Sequence, residues 1–347
     1  MNKKIERRNF IKSAAAGTVG FGILNRPFSI LEKMEAGPDK TIGIIGLDTS
    51  HSVAFTKALN DPAALPEFKG YRVVAAYPHG SRDIKSSVDR IPGYTEDVKK
   101  LGVEITDSID DLLTRVSAVL LETNDGRLHL EQALPVFRAK KRMFIDKPIA
   151  ASLEDTLTIF EASKKYGSPL FSASSLRYIS GAKEIVEGSL GVVKGADVYS
   201  PATIEKTHPD LFWYGVHGVE TLFTVMGTGC EQVKRLYTEN TDLVTGLWKD
   251  DRIGTFRGIR SGGSGYGGTV FGDKGISVLG KYAGYNPLLV RIIEFFETGV
   301  PPVREEETVE IFAFMAAAEE SKNQQGRTVY IEKVLEKARK AAGKSIY

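Results

Sequence analysis

Five histidines, His51, His79, His129, His208 and His217, are the side chains most able to exchange protons near neutral pH. None forms an H-E-x-x-H pair or a similarly spaced ligand set, so the expected metal complement is none. His217 and Glu220 lie one helical turn apart, where a carboxylate can orient an imidazole or hold a hydroxyl. Lys147 follows a short apolar run and precedes Pro148, and a lysine there can polarise or deprotonate a hydroxyl once burial or a neighbour lowers its proton affinity. Trp213 and Tyr214 together can stack on the apolar face of a sugar ring or serve as core aromatics. Arg177 suits an acidic or hydroxylated ligand, or a structural ion pair. No G-x-S-x-G elbow is present, which argues against a serine nucleophile. Cys230 is the only cysteine, so an intramolecular disulfide or a Cys-rich metal site is excluded.

Strands alternating with helices must position these residues. Ile42-Gly43-Ile44-Ile45-Gly46 reads as a strand ending in glycine, with a helix from Val53 to Leu59 behind the caps Thr49 and Ser50. Further strands are expected at Tyr71 to Tyr77, Ala118 to Glu122 and Met143 to Ile145, and helices around Asp110 to Leu113, Leu128 to Ala139 and Ser152 to Tyr166. That rhythm implies an α/β, Rossmann-like, doubly wound parallel sheet with ligands beyond the strands' carboxyl ends. After residue 173 the runs Gly195 to Tyr199, Glu231 to Tyr237, Thr241 to Leu247 and Gly254 to Gly258 read as antiparallel strands. Helices near Val216 to Val225, Pro287 to Glu297 and Glu305 to Ser321 make this half an α+β domain with an open, largely antiparallel sheet. The expected division is 1–38 as a leader, 39–172 as a dinucleotide-binding-like domain and 173–347 as a substrate and oligomerisation domain.

The chain of 347 residues is long enough for two cores. Its net charge of +2, from 46 basic and 44 acidic residues, supplies no global field for nucleic acid. The N-terminus has a different character: Arg7-Arg8-Asn9-Phe10-Ile11-Lys12 precedes a small-residue apolar run and resembles a twin-arginine export signal. The expectation is export by the twin-arginine machinery to the periplasm, either released or tethered to the membrane.

A Rossmann fingerprint uses three glycines, for the turn, for close approach to a diphosphate and for helix packing. In Gly46-Leu47-Asp48-Thr49-Ser50-His51 only the first is kept, and Asp48 places a side chain and a negative charge at the second. Free helix amides, Thr49, Ser50, Ser52 and a protonated His51 can still attract phosphate. The strand ending Ala75-Ala76-Tyr77-Pro78 lacks the acidic residue expected to bind ribose, and Ser81 and Arg82 are either 2′-phosphate ligands or ordinary loop residues.

The order Glu122, Thr123-Asn124, His129 and Asp146-Lys147-Pro148 resembles the Gfo/Idh/MocA oxidoreductases. Gly215-Val216-His217-Gly218-Val219-Glu220, the turn Gly272-Asp273-Lys274-Gly275 and the closing Gly326-Arg327-Thr328-Val329 extend the likeness from about residue 40 to the end. The resemblance implies an NAD- or NADP-dependent oxidoreductase acting on a sugar or sugar derivative, with Lys147 and His217 as acid-base groups. It places Gly46, Asp48, Thr49, Ser50, His51, Thr123, Asn124, His129, Asp146 and Lys147 at the cofactor, and Arg177, Trp213, Tyr214, His217 and Glu220 at the substrate. It also implies a homo-oligomer. An exported enzyme would retain its cofactor, as in a redox-neutral cycle that oxidises and re-reduces the sugar, either as a dehydrogenase-like step or as a glycosidase variant that cleaves by elimination beside a transient ketone. Where the family commonly has an aspartate four residues before the histidine, this chain has Trp213. The missing glycines leave a second reading open, a cofactor-free carbohydrate-binding protein of the same descent.

Overall fold

The computed structural model describes residues 40–342. The twin-arginine-like segment lies outside the described residues.

The first sheet is built from β1 (Thr41–Ile45), β2 (Arg72–Tyr77), β3 (Glu104–Ile105), β4 (Ala118–Leu121), β5 (Arg142–Asp146) and β6 (Leu170–Ala173). All are parallel, in the order β3-β2-β1-β4-β5-β6. Between them run α1 (Ser50–Asn60), α2 (Lys85–Val88), α3 (Ile91–Lys100), α4 (Ile109–Arg115), α5 (His129–Arg138) and α6 (Leu153–Tyr166). Helices cover both faces, so the central strands β1 and β4 are apolar without alternation. Local chemistry fixes the helix ends: Ser108 and Ser152 accept the amides of Asp111 and Asp155, and Gly167 ends α6 with φ +62°. The strand order reverses between β1 and β4, which opens a crevice beyond their carboxyl ends.

After a short α7 (Ala182–Val186), the second sheet comprises β7 (Val193–Pro201), β8 (Cys230–Tyr237), β9 (Thr241–Trp248), β10 (Ile253–Ile259), β11 (Gly267–Gly272), β12 (Gly275–Leu279) and β13 (Val329–Tyr330). Its order is β12-β11-β7-β10-β9-β8-β13. The sheet is mixed: β10 pairs with β7 in parallel, where the sequence patterns read as antiparallel. The physical reason is the connection, because α8 (Val216–Met226), β8 and β9 intervene and form a crossover long enough to return the chain in the same direction. Alternation is clean in β9, whose inward residues face α8 and α10 (Glu305–Asn323). The glycine-rich β11, and α3, α7 and the last helix α11 (Ile331–Ala342), are not anticipated by hydrophobic pattern.

One apolar core runs from Val119 and Ile145 of the first sheet to Phe256 and Phe314 of the second half. A second core joins Ile42, Ile44 and Phe171 to Leu288, Ile292 and Phe295, so α9 (Asn286–Thr298) packs back on the first sheet. Below the second sheet Arg235 is 1% exposed and bonds Asp210 at 2.6 Å, Asp242 at 2.8 Å and Glu319 at 2.9 Å. Among the described residues, no helix is long and apolar enough to cross a membrane.

Candidate active site

The carboxyl ends of β1, β4 and β5 deliver the first part of the site. Gly46 turns with φ +90°, and a Cβ there would lie 2.6 Å from the Thr123 backbone nitrogen, which explains why this glycine is kept. Asp48 is fully buried. Its carboxylate accepts the amides of Ser81 at 2.7 Å and Asn124 at 2.9 Å, tying together the loops after β1, β2 and β4. Gly80 packs against it so closely that a Cβ would sit 2.7 Å from Oδ1. The Asn124 side chain donates to Ser87 at 3.0 Å.

His51 points from the first turn of α1 toward the end of β5. Its ring lies between Phe55 and Tyr285, with centroids 5.7 and 4.7 Å away. His51 Nδ1 is 2.8 Å from Asp146 Oδ2 and 3.9 Å from Glu122 Oε2. Glu122 and Asp146 are both fully buried. Burial, with Asp146 beside it, holds the Glu122 carboxyl well above the usual range. Burial also opposes ionisation of Asp146, but the charges of His51 and Lys147 outweigh it and bring that carboxyl down to about 2. Lys147 is 7% exposed, its Nζ lies 3.7 Å from Asp146, and the Lys147–Pro148 bond is cis.

From the second half, α8 brings His217, which is 5% exposed. Ser174 Oγ accepts the amide of Leu176 at 3.0 Å and lies 2.7 Å from His217 Nδ1, a hydrogen bond that fixes the orientation of the ring. Burial, followed by the nearby charges of Lys147 and His51, pushes the imidazole's proton affinity well below its usual level. Ser174 thus takes the orienting role that the spacing offered to Glu220. Glu220 accepts the Ser174 amide at 2.8 Å and Arg177 Nε at 2.9 Å, and Arg177 also bonds Glu307 at 2.5 Å. Arg177 and Glu220 are therefore each other's partners. Burial pushes Glu220 up to about 7 against the pull of the Arg177 guanidinium.

Tyrosines connect the two groups. Tyr214 lies edge-on to His217 at 4.9 Å, and its hydroxyl bonds Tyr266 at 2.9 Å. Tyr266 neighbours Tyr282, which neighbours Tyr285 beside His51. Trp213 turns the other way, with its ring 5.0 Å from His208, which faces Asp125 at 3.4 Å.

The remaining expected residues have local engagements. His129 is fully buried, with Nε2 2.6 Å from the Thr123 carbonyl and Nδ1 3.1 Å from that of Ile149, so both ring nitrogens face backbone. Ser52 donates to the Thr49 carbonyl at 2.7 Å, while Ser50 is exposed at the start of α1. Arg82 pairs with Glu131 at the surface. Glu122, Ser174, Tyr266, Tyr282 and Tyr285 were not singled out as site residues. Glu122 carries a readable signal, a carboxylate closing the apolar run Ala118-Val119-Leu120-Leu121, whereas the tyrosines carry none.

The loop after β1 departs from a glycine-lined diphosphate cradle at two positions, Asp48 and His51. The Asp48 carboxylate already takes two loop amides beside the crevice, and it sets a buried acceptor against any second anion. His51, held against Tyr285, reaches from the start of α1 to Asp146, next to Lys147.

Comparison with known proteins supplies the wider setting. Residues 40–174 match a family model described as oxidoreductase family, NAD-binding Rossmann fold. A search of curated proteins finds no match. Solved structures with the same fold include a probable dehydrogenase from Thermotoga maritima, with 22% identity, TM-score 0.69, and coverage of 85% of this chain and 99% of the other. A scyllo-inositol dehydrogenase from Lactobacillus casei with bound NAD(H) and scyllo-inositol has 14% identity, TM-score 0.66 and coverages of 84% and 99%. A myo-inositol 2-dehydrogenase from Lactobacillus plantarum has 15% identity, TM-score 0.67 and coverages of 84% and 98%. The Rossmann-like parallel sheet followed by a second, largely antiparallel sheet is thus the architecture of these dehydrogenases.

Proposed function

We propose that the chain is an enzyme of oxidoreductase type acting on a sugar or sugar derivative, with Lys147 and His217 exchanging protons at the reacting hydroxyl and its carbon. The observation that carries this reading is a buried imidazole oriented by Ser174 and a buried lysine beside Asp146 at the end of β5, His217 sensing the Lys147 charge. A lysine without a role would sit at the surface, whereas Lys147 is 7% exposed. Lys147, as the free amine beside Asp146, accepts the hydroxyl proton while the hydride on the carbon would pass to a nicotinamide, His217 hydrogen-bonds the same substrate oxygen, and Tyr214 and Tyr266 offer faces and hydroxyls for a polyhydroxylated ring. The inositol dehydrogenases of the same fold support a polyol or sugar as substrate class.

The matched family description supports an NAD-type cofactor, either NAD or NADP. A cofactor-free carbohydrate-binding protein is the second reading, favoured by the engagement of Asp48 and His51. The N-terminal pattern supports twin-arginine export, and with it a retained cofactor working in a redox-neutral cycle. An apolar row on the outer face of the second sheet, Ile276, Phe271, Ile253 and Leu247, supports self-association.

The test uses the full chain. Small molecules released on denaturation are identified by mass spectrometry, and turnover is measured on inositols and aldoses for wild type, Lys147→Ala and His217→Ala. Retained binding of the polyol with turnover lost by about a hundredfold or more is the expected result. Binding without turnover in any form of the wild type would leave the carbohydrate-binding reading in its place.

A further inference from the structure

We propose that His51, Glu122 and Asp146 bind one divalent cation of the first transition series, of the Mn2+ or Zn2+ kind. One ligand-type atom from each residue lies within 4.8 Å of the other two, and all three side chains are buried. The separations from His51 Nδ1, 2.8 Å to Asp146 and 3.9 Å to Glu122, bracket the roughly 3.0–3.4 Å between neighbouring ligands around an ion with bonds of about 2.1 Å.

The second observation is the fully buried Glu122 carboxylate, which faces this space without a partner. Both oxygens of Glu122 are enclosed without a hydrogen-bond partner, and the Asp146 carboxylate, 2.8 Å from His51 Nδ1, borders the same space. Buried carboxylates in folded proteins are otherwise satisfied. Lys147, at 3.7 Å from Asp146, is beyond hydrogen-bond distance and supplies one positive charge to two carboxylates. A divalent ion satisfies all three groups at once. One imidazole with two carboxylates is a mixed nitrogen and oxygen donor set, suited to Mn2+, Fe2+, Co2+ or Zn2+ more than to the all-oxygen preference of Ca2+.

The placement follows from the departures in the fingerprint. His51 stands where the third glycine would be, and a glycine there has no ligand to offer. Glu122 and Asp146 close β4 and β5, the strands beside the topological switch point. The substitution at the third fingerprint position thus supplies the imidazole. Coordination positions beyond these three would be free for water or for adjacent hydroxyls of a polyol, beside Lys147. Ion binding itself does not rest on the proposed reaction.

The experiment treats the purified full chain with a chelator, removes the chelator and titrates with Mn2+ alone or Zn2+ alone. Bound metal is counted by elemental mass spectrometry and the Mn2+ environment is read by electron paramagnetic resonance. One equivalent per chain is expected, with affinity reduced at least tenfold in each of His51→Gln, Glu122→Gln and Asp146→Asn. His79→Ala, at an exposed histidine, should bind as wild type does. Circular dichroism of the metal-free variants checks folding, and any one folded variant suffices. No stoichiometric binding by wild type, or undiminished binding by folded variants, overturns the site. Loss of turnover in Lys147→Ala with the metal still bound would separate the two proposals.

Discussion

Replacing Asp48 with glycine restores the second fingerprint glycine and removes the carboxylate that joins three loops. Two amide hydrogen bonds to a charged acceptor are lost, at 2.7 and 2.9 Å, each worth about 1.5–3 kcal/mol. A more flexible residue adds about 0.5–1 kcal/mol, while release of a fully buried negative charge works in the opposite direction. The net expectation is a destabilisation of about 2–4 kcal/mol. Gly80→Ala makes the same contact from the other side, because its Cβ would lie 2.7 Å from Asp48 Oδ1 and 2.5 Å from Cγ, an overpacking cost of about 1–3 kcal/mol. In the Asp48→Gly background that clash partner is gone. Urea unfolding of wild type, both single variants and the double variant should therefore show the double variant more stable than additivity gives, by about 1–2 kcal/mol. Titration with NAD and NADP in parallel should show nucleotide affinity rising in Asp48→Gly. Additive stabilities together with unchanged nucleotide affinity would refute the argument that Asp48 occupies the crevice.

Three further outcomes follow from buried groups. Glu220 has its folded-state proton affinity raised, from 4.5 to about 7, so its contribution to stability is complete below pH 4.5 and is lost as pH rises through about 7. Unfolding free energy should fall by up to about 3 kcal/mol from this group between pH 5 and 8, and Glu220→Gln should flatten that slope; an unaltered slope would contradict it. Arg235→Met leaves Asp242, fully buried, with Arg260 as its remaining cation and takes a partner from Asp210, so a loss of about 3–5 kcal/mol is expected in urea unfolding. Gly218→Ala puts a Cβ 2.6 Å from Ser200 Oγ and against Phe256, which should lower stability by about 1–3 kcal/mol. It should also reduce kcat by displacing His217 next to it; full activity with a normal melting temperature would show that α8 can shift freely.

Much of the scaffold was legible because local physics dominates it. Parallel strands covered on both faces read as unbroken apolar runs, as in Ala118-Val119-Leu120-Leu121, and Ser108, Ser152 and Gly167 mark helix ends through hydrogen bonds made within a few residues. The burial of Lys147 at the end of β5 and of His217 on α8 fits the places their motifs suggested. The parallel pairing of β7 with β10 was not legible, because strand direction across a 51-residue interval depends on the path of α8, β8 and β9 and not on the alternation within either strand.

What the sequence determined by itself was the order of elements, the missing glycines and the residue types able to move protons. Only the tertiary structure decided their partners. Arg177 and Glu220 neutralise each other because α8 packs on the segment after β6, and Ser174 orients His217 for the same reason. His51, Glu122 and Asp146 are separated by 71 and 24 residues, yet a parallel sheet brings the ends of β4 and β5 beside the helix after β1. Sequence periodicity records which face of an element is buried; convergence of three elements at one point is set by strand order, which no local pattern encodes.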